Sequence, residues 1–155
     1  MKTIVGFNRL LLLFIGFVFF LVLVRIFFSG NIRYVSMLWN IFLGWIPYAL
    51  AGFFSSALKK EGWKKLLLFF TWLVFFPNAL YMVTDLIHLN EDSNVPVWYD
   101  AVLLFASSFI GIVMAFVSLR KAEKFLGRLF PAKKVTFIIP AILFLSSYGV
   151  YLGRF

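Results

Sequence analysis

Five long apolar stretches separated by short polar connections set the pattern of this chain. They lie near residues 10–28, 34–58, 66–84, 101–119 and 135–153. Each can cross the roughly 30 Å hydrocarbon core of a bilayer as an α-helix, because a helix rises about 1.5 Å per residue. The pattern therefore predicts an all-α fold, a polytopic membrane helix bundle with about five transmembrane helices.

Features inside the spans refine this prediction. Pro47, Pro77 and Pro140 each remove a backbone donor, which predicts kinks. The first span follows basic residues as a signal peptide would, but no small-residue cleavage motif comes after it, so we expect a retained helix. Its Arg25 is expected to extend its guanidinium to the lipid head groups.

The composition also indicates an integral membrane protein. The chain of 155 residues is 63% hydrophobic and 14% charged, with 22 Phe, which is far more apolar than an ordinary globular domain. No polar stretch is long enough to fold separately, so residues 1–155 are expected to form a single integral membrane domain. The chain has no Cys, which excludes disulfides, Cys-ligated zinc and Cys nucleophiles.

The basic residues predict orientation. Assigning the connections to alternate sides places twelve Lys and Arg on one side and three, Arg25, Arg33 and Arg154, on the other. Short basic loops stay in the cytoplasm, so the N-terminus is predicted to be cytoplasmic and the acidic connection before Asp100 external, in a bacterial inner (plasma) membrane. The +9 charge lies at span ends, which favours anionic lipids at the basic inner loops over nucleic acid. A short amphipathic helix is expected before Pro131.

A polar stripe interrupts the third span. If its helix continues past Pro77, steps of three and four residues place one set of side chains on one face: Asn78, Tyr81, Asp85, His88 and Asp92.

Other intramembrane polar groups fall in the outer halves of their spans. These are Asn40, Asn78, Ser107, Ser108, Ser146, Ser147 and Tyr148, at the depth of Tyr81, Thr84, Asp85, His88, Asp100 and Arg154. Unpaired polar groups in hydrocarbon cost several kcal/mol each, so they should converge. We therefore predict an outward-facing polar pocket, with binding residues Asn78, Tyr81, Thr84, Asp100 and Arg154.

Two kinds of chemistry fit the acidic and histidine side chains. Asp85, His88 and Asp100, with Asp92, could ligate a divalent metal that activates water at the outer leaflet. Without a metal, His88 could be a general base oriented by Asp85. The chain has no HExxH motif and one His, and its intramembrane serines suit helix packing better than catalysis.

Two readings without catalysis remain open beside these. Asp85 and Asp100 could be neutralised by Arg154, Arg33 or Arg25, while Asn78 satisfies the carbonyl that Pro77 exposes. The interrupted spans could instead belong to a small transporter or substrate-binding membrane subunit, although no internal repeat is evident. The structural or accessory role is favoured, with an outer-leaflet enzyme and a transporter as alternatives.

The segment FFPNALYMVTDLIHL, residues 75–89, resembles the bacterial family named domain of unknown function 1361 (DUF1361). The resemblance extends to WIP at 45–47, PVWYD at 96–100 and SSYGVYLGRF at 146–155. It implies a multi-pass membrane protein whose biochemical role is not established. It also implies that members continue beyond the LGRF segment, so a shortened member or a fragment is expected.

Overall fold

The computed structural model describes residues 2–32, 34–59, 61–89 and 95–154, except the side chains of residues 2–5 and 154. These ranges contain helices and no strand. The helices are α1 (Lys2–Ser29), α2 (Val35–Gly52), α3 (Phe54–Ala57), α4 (Gly62–Thr84), α5 (Val97–Leu126) and α6 (Ala132–Arg154), with a 3₁₀ turn at Asp85–His88 after α4.

The prediction of a five-span helical bundle is confirmed. Within the described ranges, five segments are long and apolar enough to cross a membrane: Gly6–Ser29, Val35–Ala57, Gly62–His88, Val97–Leu126 and Ala132–Gly153. Large apolar side chains cover their outer faces, and Phe27, Phe137 and Phe144 are 76–85% exposed. Apolar surface of this extent is unfavourable in water, and it suits contact with lipid.

Spans that follow one another in the chain run in opposite directions, and this brings polar residues that are distant in sequence to the same end of the bundle. Arg25 near the end of α1 contacts Asp100 at the start of α5, and Tyr81 near the end of α4 reaches Gly153 at the end of α6. We call this the polar end. The basic end is the opposite one, where α2 and α5 finish and α4 and α6 begin.

Small residues let α2, α4 and α5 approach closely at the centre. A Cβ added at Gly111 would lie 2.5 Å from the Ala79 carbonyl oxygen and 2.6 Å from Met82 Cε. At Gly44 it would lie 2.9 Å from Met82 Cε. Helices in lipid associate through such close packing, because the apolar lipid provides no hydrophobic driving force that would bring them together. The most buried of the five spans is α5.

A buried hydrogen-bond pair joins the same three helices nearer the basic end. Trp72 Nε1 donates to Ser118 Oγ at 2.6 Å, and Ser118 Oγ donates to the Pro47 carbonyl at 3.1 Å. Trp72 and Ser118 are fully buried, so each needs a partner inside the protein.

The predicted span at 34–58 is present as Val35–Ala57, within which α2 ends at Gly52 and α3 follows Phe53. One local expectation was wrong. There is no separate amphipathic helix before Pro131, since α5 continues to Leu126. Between Arg120 and Leu126 there is no Gly or Pro, and cations near a helix C-terminus are favourable, so the basic segment extends α5.

Candidate functional site

A buried ion pair joins α1 and α5 at the polar end. Arg25 Nε donates to Asp100 Oδ1 at 2.7 Å, and Arg25 Nη2 donates to Asp100 Oδ2 at 3.0 Å. The two side chains are 3% and 0% exposed. The expectation that Arg25 reaches the head groups was wrong, because a buried carboxylate holds the guanidinium in a bidentate contact.

Two tyrosines extend this contact to neighbouring backbone. The Arg25 guanidinium carbon lies 4.3 Å from the centroid of the Tyr34 ring, a distance suited to a cation–π contact. The Tyr34 hydroxyl donates to the His88 carbonyl at 3.0 Å, and the Tyr99 hydroxyl donates to the Leu21 carbonyl at 2.8 Å. The cluster therefore joins α1, α2, α5 and the 3₁₀ turn.

Asp85 is buried just after the end of α4. It starts the 3₁₀ turn, is 2% exposed, and its Oδ2 accepts a hydrogen bond from Asn40 Nδ2 on α2 at 2.7 Å. His88 lies three residues on, about 6 Å further along a 3₁₀ axis, and is exposed. The helix passes Pro77 as the polar stripe required, but α4 ends at Thr84, so Asp85 and His88 lie in different surroundings.

The metal hypothesis stays a prediction. In the described ranges no three His, Asp or Glu side chains gather into a ligand set, and both Asp100 oxygens accept from Arg25. Asp92 lies outside the described residues. A site built from Asp85, His88 and Asp100 would have to displace the Arg25 contact.

The remaining binding candidates bond mainly to backbone carbonyls. Asn78 Nδ2 donates to Phe75 O at 3.1 Å, Thr84 Oγ1 to Tyr81 O at 2.7 Å, and the Tyr81 hydroxyl to Gly153 O at 3.3 Å. Proline at position 77 frees the carbonyl four residues earlier, so Asn78 satisfies a different carbonyl from the one expected. The side chain of Arg154 lies outside the described residues.

A cavity of 310 Å³ lies beside Pro77 between α2, α4 and α6. Asn40, Asn78 and Tyr81 line it, and Gly149 and Gly153 leave room on the α6 side. Asn40 both lines this space and donates to Asp85. The cavity is therefore connected by one side chain to the buried carboxylate.

The intramembrane serines pack helices. Ser108 Oγ donates to Met82 O across α5 and α4 at 2.8 Å, and Ser107 and Ser146 donate to carbonyls of their own helices. Ser147 does the same from an exposed position. The contact of Ser108 between two helices matches the packing role expected from the sequence, whereas the other three serines bond within their own helices.

Sequence reasoning missed two partners of the site, Tyr34 and Tyr99. It also missed the contacts of Ser118 nearer the basic end. A usable signal was position, since Tyr34 and Tyr99 begin spans at the end where Arg25 completes its own. Ser118 carried no such signal, because its contact depends on the rotation of α5.

A family model described as "Protein of unknown function (DUF1361)" matches residues 39–155. No curated protein and no solved structure matches the chain. The matched range includes Asn40, Asp85 and Asp100 and begins after Arg25 and Tyr34. The ion pair therefore joins the matched range to a helix that precedes it.

Proposed function

Because the chain belongs to the DUF1361 family, whose description states no function, we propose a role from the geometry: a structural or accessory protein of the bacterial inner (plasma) membrane. It is a multi-pass protein whose polar end holds its helices together. Its N-terminus lies in the cytoplasm, its acidic connection lies outside, and its partners are the bilayer and anionic lipids at the inner loops.

The observation that carries this proposal is the bidentate contact of Arg25 with Asp100. A general base or metal ligand has to reach the reacting group, but the Asp100 side chain is 0% exposed and both of its oxygens accept from one guanidinium. A buried charge without a partner costs several kcal/mol, so each member of the pair holds the other helix in place. The cluster thereby favours a fixed arrangement of α1 and α5.

The contact of Asp85 with Asn40 also holds two helices together. It joins the end of α4 to α2 across 45 residues of sequence. A hydrogen bond to a charged group contributes about 1.5–3 kcal/mol, and a buried acceptor left alone costs at least as much. Asp85 therefore acts in this proposal as a helix connector.

Melting temperature and metal content of detergent-purified protein test the role. We expect Asp85→Leu to lower the melting temperature by several degrees, because Asn40 loses its charged acceptor, and Asp85→Asn to lower it less. His88→Ala should lower it less than Asp85→Leu, since His88 is exposed and Asp85 is buried. A stoichiometric divalent metal in the wild type, lost in His88→Ala at unchanged melting temperature, would refute the proposal in favour of the outer-leaflet enzyme.

A second candidate, a small transporter or substrate-binding subunit, is favoured by the 310 Å³ cavity beside Pro77. Its amide and phenol side chains suit a small neutral solute that donates and accepts hydrogen bonds. A panel of sugars, polyols and amides should then include a compound that raises the melting temperature of the wild type. The rise should disappear in Asn78→Leu, and a panel without any such compound would speak against this candidate.

A further inference from the structure

A basic cavity of 370 Å³ opens at the basic end, between α3 and the last turns of α5. Three cations from α5 and the residues just after it contribute to its wall, and small or apolar residues from α2, α3, α5 and the residue after α3 form the rest. The lining is Lys121, Lys124, Arg128, Phe125, Ala51, Gly52, Phe54, Ser55 and Leu58.

The spacing of the cations explains why they share this cavity. Lys121, Lys124 and Arg128 are separated by steps of three and four residues, which places them on one side of the chain as α5 ends. Lys121 lines the cavity, and its Nζ lies 4.5 Å from the centroid of the Tyr48 ring, which is outside the lining. The three like charges repel one another, so the arrangement favours an anion between them.

The nearby carboxylates are directed elsewhere. Glu123 Oε2 accepts from Arg120 Nη1 at 2.9 Å, and both residues line a different cavity, between α5 and α6. Glu61 is paired with Lys64 at 3.0 Å. Among the described residues that line the basic cavity there is no carboxylate, so its charge is uncompensated by the protein there.

We propose that this cavity binds the phosphate head group of an anionic phospholipid. The cations would contact the phosphate oxygens, the Ser55 hydroxyl could donate to one of them, and the apolar wall would contact the glycerol and first methylenes. The site lies where a membrane span ends, which is the depth of head groups, and basic pockets between transmembrane helices at that depth are suited to anionic lipids. The inference deepens the proposed lipid partnership and does not depend on the contact of Arg25 with Asp100.

Native mass spectrometry of detergent-purified full chain tests the site. Phosphatidylglycerol, phosphatidylcholine and inorganic phosphate would each be titrated into the protein. We expect phosphatidylglycerol to be retained preferentially, and the double variant Lys124→Gln/Arg128→Gln to weaken that retention on the order of tenfold. The matched control is Lys133→Gln/Lys134→Gln, which removes the same charge from exposed positions outside the cavity and should bind like the wild type.

Four other outcomes would contradict a phospholipid site in this cavity. Equal losses in the two double variants would indicate diffuse attraction, and equal retention of phosphatidylcholine would remove the role of head-group charge. Displacement of phosphatidylglycerol by equimolar inorganic phosphate would assign the cavity to a free anion. Lys124→Arg keeps the charge and should keep the lipid, so its failure to bind would contradict the electrostatic argument. None of these results bears on the melting and metal experiments at the polar end.

Discussion

Removing either member of the buried pair formed by Arg25 and Asp100 should be far more damaging than removing both. The pair is 3% and 0% exposed and makes two charge-assisted hydrogen bonds. Loss of one partner from such a pair costs about 3–5 kcal/mol, because the other charge is left buried. For a soluble domain of this size that would be a fall of roughly 6–20 °C in melting temperature.

The two single variants should also differ from one another. In Arg25→Met the remaining Asp100 can take up a proton and become neutral, whereas in Asp100→Leu the guanidinium keeps its charge. Asp100→Leu should therefore be the more destabilised. In the double variant both desolvated charges are gone and apolar groups fill the space, so its stability should return to within about 1–2 kcal/mol of the wild type.

The assay is unfolding in mixed micelles of the wild type, Arg25→Met, Asp100→Leu and the double variant. The four free energies of unfolding form a double-mutant cycle. Glu61→Gln is the control, because its pair with Lys64 is 44% and 66% exposed, and exposed pairs contribute about 0–1 kcal/mol. If the double variant were as unstable as the sum of the two single variants, the pair would contribute no coupling. The structural role proposed for the polar end would then be refuted.

Two further predictions concern packing and orientation. Gly111→Ala should destabilise the bundle by about 1–3 kcal/mol, because the new Cβ would lie 2.5 Å from the Ala79 carbonyl oxygen, whereas Gly16→Ala, with nothing within 4 Å, should leave unfolding in micelles unchanged; equal effects would contradict the close helix approach. Ser93→Cys introduces the sole thiol of a chain that has none, and a membrane-impermeant maleimide should label it in intact cells; labelling only after the cytoplasm is opened would reverse the predicted orientation.

The cation that pairs with Asp100 lies on α1, before the residues that the DUF1361 family model matches. The family model matches residues 39–155, yet Asp100 in that range is neutralised by Arg25 outside it. A buried carboxylate in a bilayer is costly unless a cation or other hydrogen-bond donors face it. Chains of this family that retain an aspartate at this position should therefore supply a cation or another donor from a neighbouring helix.

The order of apolar and polar residues determined much of this protein without tertiary information. It predicted five spans, and alternating their direction placed Arg25, Asp85 and Asp100 at one end. Hydropathy can do this because the cost of placing each residue in hydrocarbon depends on that residue and its close neighbours in sequence. The same local information placed Pro77 and Asn78 within the third span, where α4 continues past both.

Only the tertiary structure decided which polar groups meet. Sequence alone left Arg25, Arg33 and Arg154 as equivalent candidates for Asp100, and it placed Asp85 and His88 on one face although one is buried and the other exposed. The contacts of Ser118 with Trp72 and Pro47 were not anticipated. These outcomes depend on how each helix is rotated about its axis and which helices are its neighbours, and packing of small residues such as Gly111 sets both.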